Sequence, residues 1–271
     1  MKLSIVIPCY NESKDIKKNT LMVQEYLRNL KIDYELILVN DGSKDKTKQV
    51  IESIEGIKAL SYDVNRGKGG AVKYGIENAS GDYVLFMDAD LSTKLEAIEK
   101  LIPLLPQYDV VIGSRHAKDS VIKKKQPALR VFIGWCCRKL VNMKFHFNYK
   151  DTQCGFKAMR IDVAKKIVSK QVVNNFAFDV EYLYIAKLNN LSIKEMGVIW
   201  SDDRGSTVSP LKSSVKFFKD LSFIKKHKKA YLFDEPNNTT KIAIEEGHKI
   251  ATDKNSKGCS SIDELRNETD L

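Results

Sequence analysis

The feature that most constrains the fold is a set of short, continuous apolar runs that recur along the first half of the chain. Four of them cover Leu3–Ile7, Glu35–Val39, Tyr83–Met87 and Val110–Ile112, and a weaker one begins at Ile57. They lack the alternation of half-exposed strands, so they predict strands that are buried on both faces. Stretches with helical spacing of apolar residues lie between them. Repeats of about 25–30 residues therefore predict an α/β fold, with a mostly parallel, Rossmann-like sheet flanked by helices.

Polar and small residues follow each of the five predicted strands. These segments are Pro8–Glu12, Asn40–Ser43, Arg66–Gly70, Asp88–Asp90 and Gly113–Arg115. Each segment alone is weak evidence for a binding site. An Asp-Gly-Ser sequence is typical of a turn with a helix cap, and the glycine-rich segment Arg66–Gly70 lacks Walker A spacing. Ligands of open parallel sheets bind beyond the carboxyl ends of the strands. The occurrence of all five segments in chain order at these ends therefore predicts a binding site there.

The pair Asp88 and Asp90 indicates the chemistry of this site. Two carboxylates one residue apart, just after a buried strand, can face one divalent cation. Mg²⁺ or Mn²⁺ takes oxygen ligands and commonly bridges carboxylates to phosphates, where it stabilises the charge of a diphosphate leaving group. Asp41 and Glu12 on neighbouring loops are placed to hydrogen-bond a base and ribose. Lys68 and Arg115 are placed to offset phosphate charge, and Lys68 is counted with the nucleotide-binding residues.

The motifs together resemble a known family. The segments that carry the resemblance are Pro8–Glu12, Asn40–Asp45, Gly67–Gly69, Asp88–Leu91 and Gly113–Arg115, which are similar to those of the family 2 glycosyltransferases of GT-A fold. Two further segments, Asp151–Lys157 and Phe178–Glu181, resemble the polyprenyl-phosphate sugar synthases. Among these, the dolichyl-phosphate β-glucosyltransferases are most similar and the mannose synthases next. The resemblance covers about Met1 to Lys229.

The resemblance implies a role for individual residues. The nucleotide-binding positions of the family match Pro8, Tyr10, Glu12, Asp41 and Asp88. The metal ligand is Asp90 with Asp88 beside it, Arg115 and Arg130 hold the acceptor's phosphate, and Gln153 approaches the sugar or diphosphate. The candidate catalytic residues are thus Asp90, Arg115, Arg130 and Gln153. Two positions depart from the family pattern: Ser92 stands where mannose synthases usually have Gln, and Asn40 replaces the first Asp of an Asp-Asp pair.

The function implied by the resemblance is inverting, metal-dependent transfer of a hexose from a nucleotide sugar to a polyprenyl or dolichyl phosphate, which gives a lipid-phosphate β-sugar. UDP-glucose is the favoured donor and GDP-mannose the other. A lipid phosphate is already anionic, so it needs positioning more than deprotonation. One alternative is a saccharide or cell-envelope polymer acceptor, which would need Asp151 or Asp179 as a base. The other is a non-catalytic sugar-nucleotide or membrane-binding module.

The charge distribution predicts the domain organisation and a membrane partner. The net charge is +10. Residues 115–150 contain ten basic residues and one acidic residue, and residues 212–229 contain seven basic residues and one acidic residue. The second segment is typical of a basic amphipathic interfacial helix. Residues 234–271 are acidic, lack aromatic residues and are predicted to be a disordered tail. We expect one catalytic domain over 1–233, with its nucleotide half in about 1–115 and its acceptor half in about 116–233.

No apolar run is long enough to cross a bilayer, and no nucleic-acid motif is present. The expected location is therefore the cytoplasmic face of a membrane, held peripherally by anionic lipid. The five cysteines have no disulfide or zinc spacing, which favours reduced thiols. His116 is expected to be a partly exposed loop histidine. The sequence leaves the roles of Asp179 and Glu181 open, as it does the role of the tail.

Overall fold

A seven-stranded sheet in the order β3-β2-β1-β4-β7-β5-β8 forms the centre of the protein in a computed structural model. The structure describes the backbone of residues 1–124, 128–202 and 210–233, and the side chains of residues 1–124, 131–202 and 216–233. The strands are β1 (Lys2–Cys9), β2 (Asp33–Asp41), β3 (Lys58–Tyr62), β4 (Tyr83–Met87), β5 (Val110–Ser114), β6 (Val121–Lys124), β7 (Phe156–Arg160), β8 (Ile193–Gly197) and β9 (Ile199–Ser201). The five predicted strands are present, and the mostly parallel α/β sheet is confirmed.

Helices cover both faces of the sheet. They are α1 (Ile16–Asn29), α2 (Thr47–Glu52), α3 (Lys68–Glu77), α4 (Glu96–Leu101), α5 (Ala128–Phe145), α6 (Ile161–Lys170), α7 (Phe178–Leu188) and α8 (Pro210–Lys226), with 3₁₀ turns at Ile102–Leu104 and Lys228–Tyr231. Leu3, Ile5 and Ile7 of β1 share one core with α1, α2 and α4. On the other face, Phe86 of β4 packs against the aromatic rings of α7. Burial on both faces explains why these strands are continuously apolar.

Strand β7 is the exception to the parallel order and is important for the site. It runs antiparallel between β4 and β5, so that Phe156 lies opposite Met87. Because β7 begins where β4 ends, it carries the preceding loop to the edge at which Asp88 and Asp90 lie. The amide of Asp88 donates to the carbonyl of Gly155 at 3.2 Å. The antiparallel strand thereby joins the two halves of the predicted catalytic domain at one edge.

A small parallel sheet of β6 and β9 lies beside the same edge. Trp200 of β9 forms a bridge with Thr93, and the amide of Ser201 donates to the carbonyl of Ser92 at 2.9 Å. These contacts fix the segment that follows Asp90.

The basic segment predicted to be a helix is observed as α8 followed by the Lys228–Tyr231 turn. Residues Met1–Leu232 form one compact unit. The predicted tail, 234–271, lies outside the described residues. Within the described part of the chain, no helix combines the length and the hydropathy that crossing a membrane requires.

Candidate active site

Asp88 lies at the carboxyl end of β4 with a lysine on one side and a glycine on the other. The ammonium group of Lys68, the first residue of α3, is 2.5 Å from one carboxylate oxygen of Asp88. Burial lowers the pKa of Lys68, but the carboxylates of Asp88 and Asp179 outweigh that effect and raise it. A side chain at Gly155 would collide with the carboxylate of Asp88. The glycine thus leaves a cradle that the carboxylate occupies, and Lys68 neutralises its charge.

Asp90 lies two residues later on the same loop. One carboxylate oxygen of Asp90 accepts a hydrogen bond from the amide of Ser92 at 2.9 Å, which orients the carboxylate. The second oxygen takes no part in that bond. Asp88 and Asp90 are both partly exposed at the strand edge. The described residues contain no cluster of three or more carboxylate, histidine or cysteine ligands. Two oxygen-donor side chains at an open edge fit a Mg²⁺ or Mn²⁺ ion that would take further oxygen ligands from a bound phosphate group and from water.

Asp41, at the end of β2, is buried and accepts four hydrogen bonds with its carboxylate. The donors are the Tyr62 hydroxyl at 2.8 Å, the Asn65 amide side chain at 3.0 Å, and the backbone amides of Arg66 and Gly67 at 2.7 and 3.0 Å. The sequence places Asp41 at a nucleotide-binding position. The structure shows that it also fixes the β3–α3 loop beside that position.

Sequence reasoning missed the aromatic and cationic pair on this loop. The guanidinium of Arg66 stacks over the ring of Tyr62, 4.3 Å from its centroid, and the Arg66 side chain is exposed. Tyr62 hydrogen-bonds Asp41, which helps to raise its pKa above the usual range, after the larger effect of its burial. Tyr62 is the last residue of β3, so a search for polar side chains at the strand ends could have identified it.

The first two strand-end loops are joined to one another. The amide of Asn11 donates to the Ser43 hydroxyl at 3.0 Å, and the Asn11 side chain accepts from the amide of Lys44 at 2.9 Å. The amide of Glu12 donates to the Thr47 hydroxyl at 2.8 Å. These bonds hold the loop after β1, which carries the predicted nucleotide residues Tyr10 and Glu12, against the segment that follows Asp41. Pro8, the other predicted nucleotide residue here, lies near the end of β1. Tyr10 is 43% exposed and thus accessible to a ligand.

The glycines that precede and begin α3 allow a close approach of another loop. Gly67 has φ of +92°, and a side chain there would meet the carbonyl oxygen of Asn174 at 2.5 Å. A side chain at Gly69 would meet Phe178 at 2.6 Å. The amide of Gly70 donates to the Asn174 carbonyl at 3.2 Å. The segment therefore packs against the α6–α7 loop, which brings Lys68 to Asp88.

Arg115, at the end of β5, is paired with Asp151. Its Nε and one terminal nitrogen donate to the two oxygens of Asp151 at 2.7 and 2.9 Å, and its backbone amide adds a third bond at 3.0 Å. Burial raises the pKa of Asp151, but Arg115 outweighs it and holds that pKa well below its usual range. Asp151 also accepts from the amide of Gln153 at 3.2 Å. The pair thus orients the loop on which Gln153 lies partly buried.

Replacing Arg115 with Ala is expected to lower the free energy of unfolding by about 3–5 kcal/mol at pH 7, because the buried Asp151 loses its partner. An aspartate with a depressed pKa contributes stability above its unfolded pKa and loses it as the pH falls. The difference between wild type and variant should therefore shrink below about pH 4. Urea unfolding at pH 7 and pH 3.5 measures both values. A difference that stays the same at both pH values would contradict the assignment.

Arg130, predicted to hold the acceptor's phosphate, lies in the first turn of α5, and its side chain is outside the described residues. His116 lies two residues beyond the end of β5 and is exposed, in agreement with its interpretation as a loop histidine. Its pKa is lowered first by partial desolvation of the ring and then by the nearby cation Arg138, with a smaller effect of Arg115. Arg138 was not singled out from the sequence.

The structure shows the contacts of Asp179 and Glu181, whose roles the sequence leaves open. Asp179 is buried and forms an ion pair with Lys157, which is also buried and donates to the Cys154 carbonyl at 2.7 Å. Glu181 accepts from the amides of the α6–α7 loop and from the Tyr231 hydroxyl at 2.7 Å. Both carboxylates therefore connect α7 to other elements.

The matched family model decides the classification. Residues 4–168 match the family described as "Glycosyl transferase family 2". The chain belongs to glycosyl transferase family 2. It is 34% identical to the dolichyl-phosphate beta-glucosyltransferase of Dictyostelium discoideum over 236 residues, which cover 81% of this chain and 72% of that protein. It is also 34% identical to the Homo sapiens protein of the same name, over 83% of this chain and 75% of that one.

Solved structures give the fold independently. The glucosyl-3-phosphoglycerate synthase of Mycobacterium tuberculosis, crystallised with Mn²⁺, UDP and phosphoglyceric acid, aligns with a TM-score of 0.62 at 18% identity. The alignment covers 86% of this chain and 80% of that one. This likeness confirms the predicted GT-A fold, whereas the family model and the curated relatives confirm the family and the expectation that the chain is a hexosyltransferase.

Proposed function

We propose that this family 2 glycosyltransferase moves glucose from UDP-glucose to a polyprenyl or dolichyl phosphate and inverts the anomeric carbon to give a β-linked product. The observation that carries the acceptor assignment is the state of Asp151 and Asp179. Each is buried in an ion pair, with Arg115 and Lys157. A saccharide hydroxyl would need a general base, whereas a phosphate oxygen is already a nucleophile at neutral pH. The names of the curated relatives support the same acceptor.

The donor is expected to lie across the carboxyl ends of the first four strands. The base and ribose face Pro8 near the end of β1 and Tyr10 and Glu12 on the following loop, which the bond from the Asn11 amide to the Ser43 hydroxyl holds to the next strand end. The Asp41 carboxylate fixes the neighbouring loop through its bonds from two backbone amides. The diphosphate then meets the α3 N-terminus, with Lys68 beside it. A helix N-terminus and a lysine both favour a bound anion.

Asp88 and Asp90 are the residues that would hold Mg²⁺ or Mn²⁺. When bound, the ion neutralises the charge that the diphosphate gains as the glycosidic bond breaks. Lys68 keeps Asp88 neutralised at the same edge. Gln153 lies on the loop oriented by Asp151, from which it is proposed to contact the sugar or diphosphate.

The test of the proposed function is transfer of radiolabelled sugar into an organic-extractable polyprenyl phosphate. UDP-glucose and GDP-mannose are supplied in parallel, with Mg²⁺ or Mn²⁺ and with a chelator. Label from UDP-glucose in the lipid, lost with the chelator, is the expected result. Label from GDP-mannose alone would correct the donor. Metal-dependent transfer to a saccharide, without lipid label, would replace the acceptor.

A face formed by α5 and α8 supports a peripheral membrane location. The helices contact each other where the Lys144 ammonium donates to the Ser222 hydroxyl at 2.9 Å. The exposed apolar side chains of this α5–α8 face are Phe132, Trp135, Leu140, Met143, Phe218 and Phe223. The exposed lysines of α8 and the following turn are Lys216, Lys219, Lys226, Lys228 and Lys229. This composition suits the interface of the anionic cytoplasmic leaflet.

Replacing Phe132 and Trp135 together with Ala is expected to weaken binding to phosphatidylserine vesicles by at least about tenfold, because each exposed aromatic ring loses burial in the lipid interface. The two rings are 61% and 50% exposed and stack on one another. Vesicle sedimentation measures the partition. The matched control replaces Leu21 and Met22 of α1, exposed to 46% and 45%, and should bind as wild type does. An equal loss in both variants would contradict this face.

A further inference from the structure

The α6–α7 loop, residues 171–177, is bonded to the first turn of α3. The backbone amide of Gly70 donates to the Asn174 carbonyl at 3.2 Å. The side-chain amide of Gln171, which is buried, donates to the Gly69 carbonyl at 3.1 Å. The same amide also donates to the Asn174 side-chain oxygen at 3.3 Å. The loop and the start of α3 are thus held to one another through both backbone and side-chain bonds.

This first turn of α3 also carries the lysine of the candidate site. Lys68 is the first residue of the helix, and its ammonium group lies 2.5 Å from a carboxylate oxygen of Asp88. The glycines on either side of it, Gly67 and Gly69, leave no side chain between the helix and the backbone of Asn174. Closely packed groups transmit a displacement because they have no space in which to absorb it. The position of the loop therefore determines where Lys68 lies relative to Asp88.

On its other side the loop is bonded to α8. The side-chain amide of Asn175 donates to a carboxylate oxygen of Asp220 at 2.9 Å, and both side chains are partly buried. Asp220 is the one acidic residue in 212–229, beside seven basic residues. A carboxylate opposes the attraction of such a segment to an anionic leaflet, so membrane binding gives no reason for its presence. Its bond to Asn175 gives one, because it fixes the loop to the helix.

We infer that Asp220 is a positioning residue for the donor site. Through its bond to Asn175, it holds the α6–α7 loop against α3. The loop in turn keeps Lys68 beside Asp88, at the place where the diphosphate is proposed to bind. A hydrogen bond to a charged acceptor is stronger than one between neutral groups, which suits a contact that must select one position of a loop. This inference rests on the proposed function and adds to it that α8 helps to build the donor site.

The experiment measures binding of UDP by calorimetry in the presence of Mn²⁺, without acceptor or vesicles. Asn175→Asp places a second carboxylate against Asp220, and the repulsion is expected to displace the loop. The Kd for UDP should rise about tenfold, because Lys68 moves with the loop. In transfer assays the KM for UDP-glucose should rise in parallel, while the KM for a polyprenyl phosphate stays unchanged. A general loss of folded protein would not change one KM alone.

The exchanged pair distinguishes this bond from any other effect of the substitution. Asn175→Asp combined with Asp220→Asn reverses the donor and the acceptor, so the bond can form again. The Kd for UDP should then return to within about twofold of the wild-type value. The control is Asp162→Asn, which removes the carboxylate from an exposed ion pair with Arg160 at the opposite edge of the sheet. It should bind UDP as wild type does.

The remaining outcomes separate this inference from the proposed function. An Asn175→Asp variant that binds UDP as tightly as wild type overturns the inference alone. So does an exchanged pair that binds UDP as weakly as Asn175→Asp, because the loss would then not come from the bond. A wild-type enzyme that binds UDP but transfers no sugar to a polyprenyl phosphate overturns the acceptor assignment and leaves the inference to be decided by these Kd values. A wild-type enzyme that does not bind UDP with Mn²⁺ overturns both.

Discussion

The Asp90→Asn variant is expected to transfer sugar about a thousandfold more slowly than wild type. Asp90 is one of the two carboxylates that fit a divalent cation at the end of β4, and asparagine keeps its shape but not its charge. Loss of a metal ligand costs several kcal/mol of transition-state stabilisation, and each tenfold in rate is about 1.4 kcal/mol. The side-chain oxygen of the substituted amide can still accept from the amide of Ser92, so the loop should keep its conformation.

The measurement is kcat for transfer from UDP-glucose, together with a titration of Mn²⁺ in the presence of UDP. We expect the variant to bind Mn²⁺ more weakly and to unfold at the same temperature as wild type. Asp33→Asn is the matched control, since Asp33 is exposed at the start of β2, at the opposite edge of the sheet. A variant at position 90 that keeps its rate within about tenfold would show that Asp90 is not a ligand.

The strands that were predicted most clearly from the sequence share a physical property. β1, β2, β4 and β5 are largely buried, and most of their residues are therefore apolar. Such a run of apolar residues can be recognised in the sequence without knowing which strands lie next to it. β7 is different because Lys157 lies in its second position, where its buried charge is paired with Asp179, which is 22 residues away. β8 is missed for a related reason: its first three residues are at most partly buried, and its sequence is mixed.

The candidate site, like the sheet, could be predicted from the sequence only where the signal is local. Local spacing was sufficient to predict that Asp88, Asp90 and Asp41 lie together at the strand ends, because each stands at or shortly after the end of a buried strand. It could not show that Asp41 accepts from the Asn65 side chain, or that Arg115 pairs with a carboxylate 36 residues later. The second of these pairs depends on how β7 is inserted into the sheet, and the sequence signal for that strand is weak.

Replacing Asp179 with Ala is expected to lower the free energy of unfolding by about 3–5 kcal/mol, because Lys157 is left as an unpaired buried charge. Both side chains are almost fully buried, and the Lys157 ammonium also donates to the Cys154 carbonyl at 2.7 Å. Cys154 precedes Gly155, the residue against which Asp88 lies. Loss of the pair should therefore loosen β7 and the cradle of Asp88 together.

The double variant Asp179→Leu with Lys157→Met distinguishes this structural role from catalysis by a base. Removing both charges restores a matched apolar pair and should recover most of the stability lost by the single variant, as replacement of buried ion pairs by apolar residues often does. Urea unfolding of the wild type, the single variants and the double variant gives the coupling energy. If Asp179 only pairs with Lys157, the double variant should also regain transfer to a lipid phosphate. A stable double variant without transfer activity would assign a base to Asp179 and favour a hydroxyl acceptor.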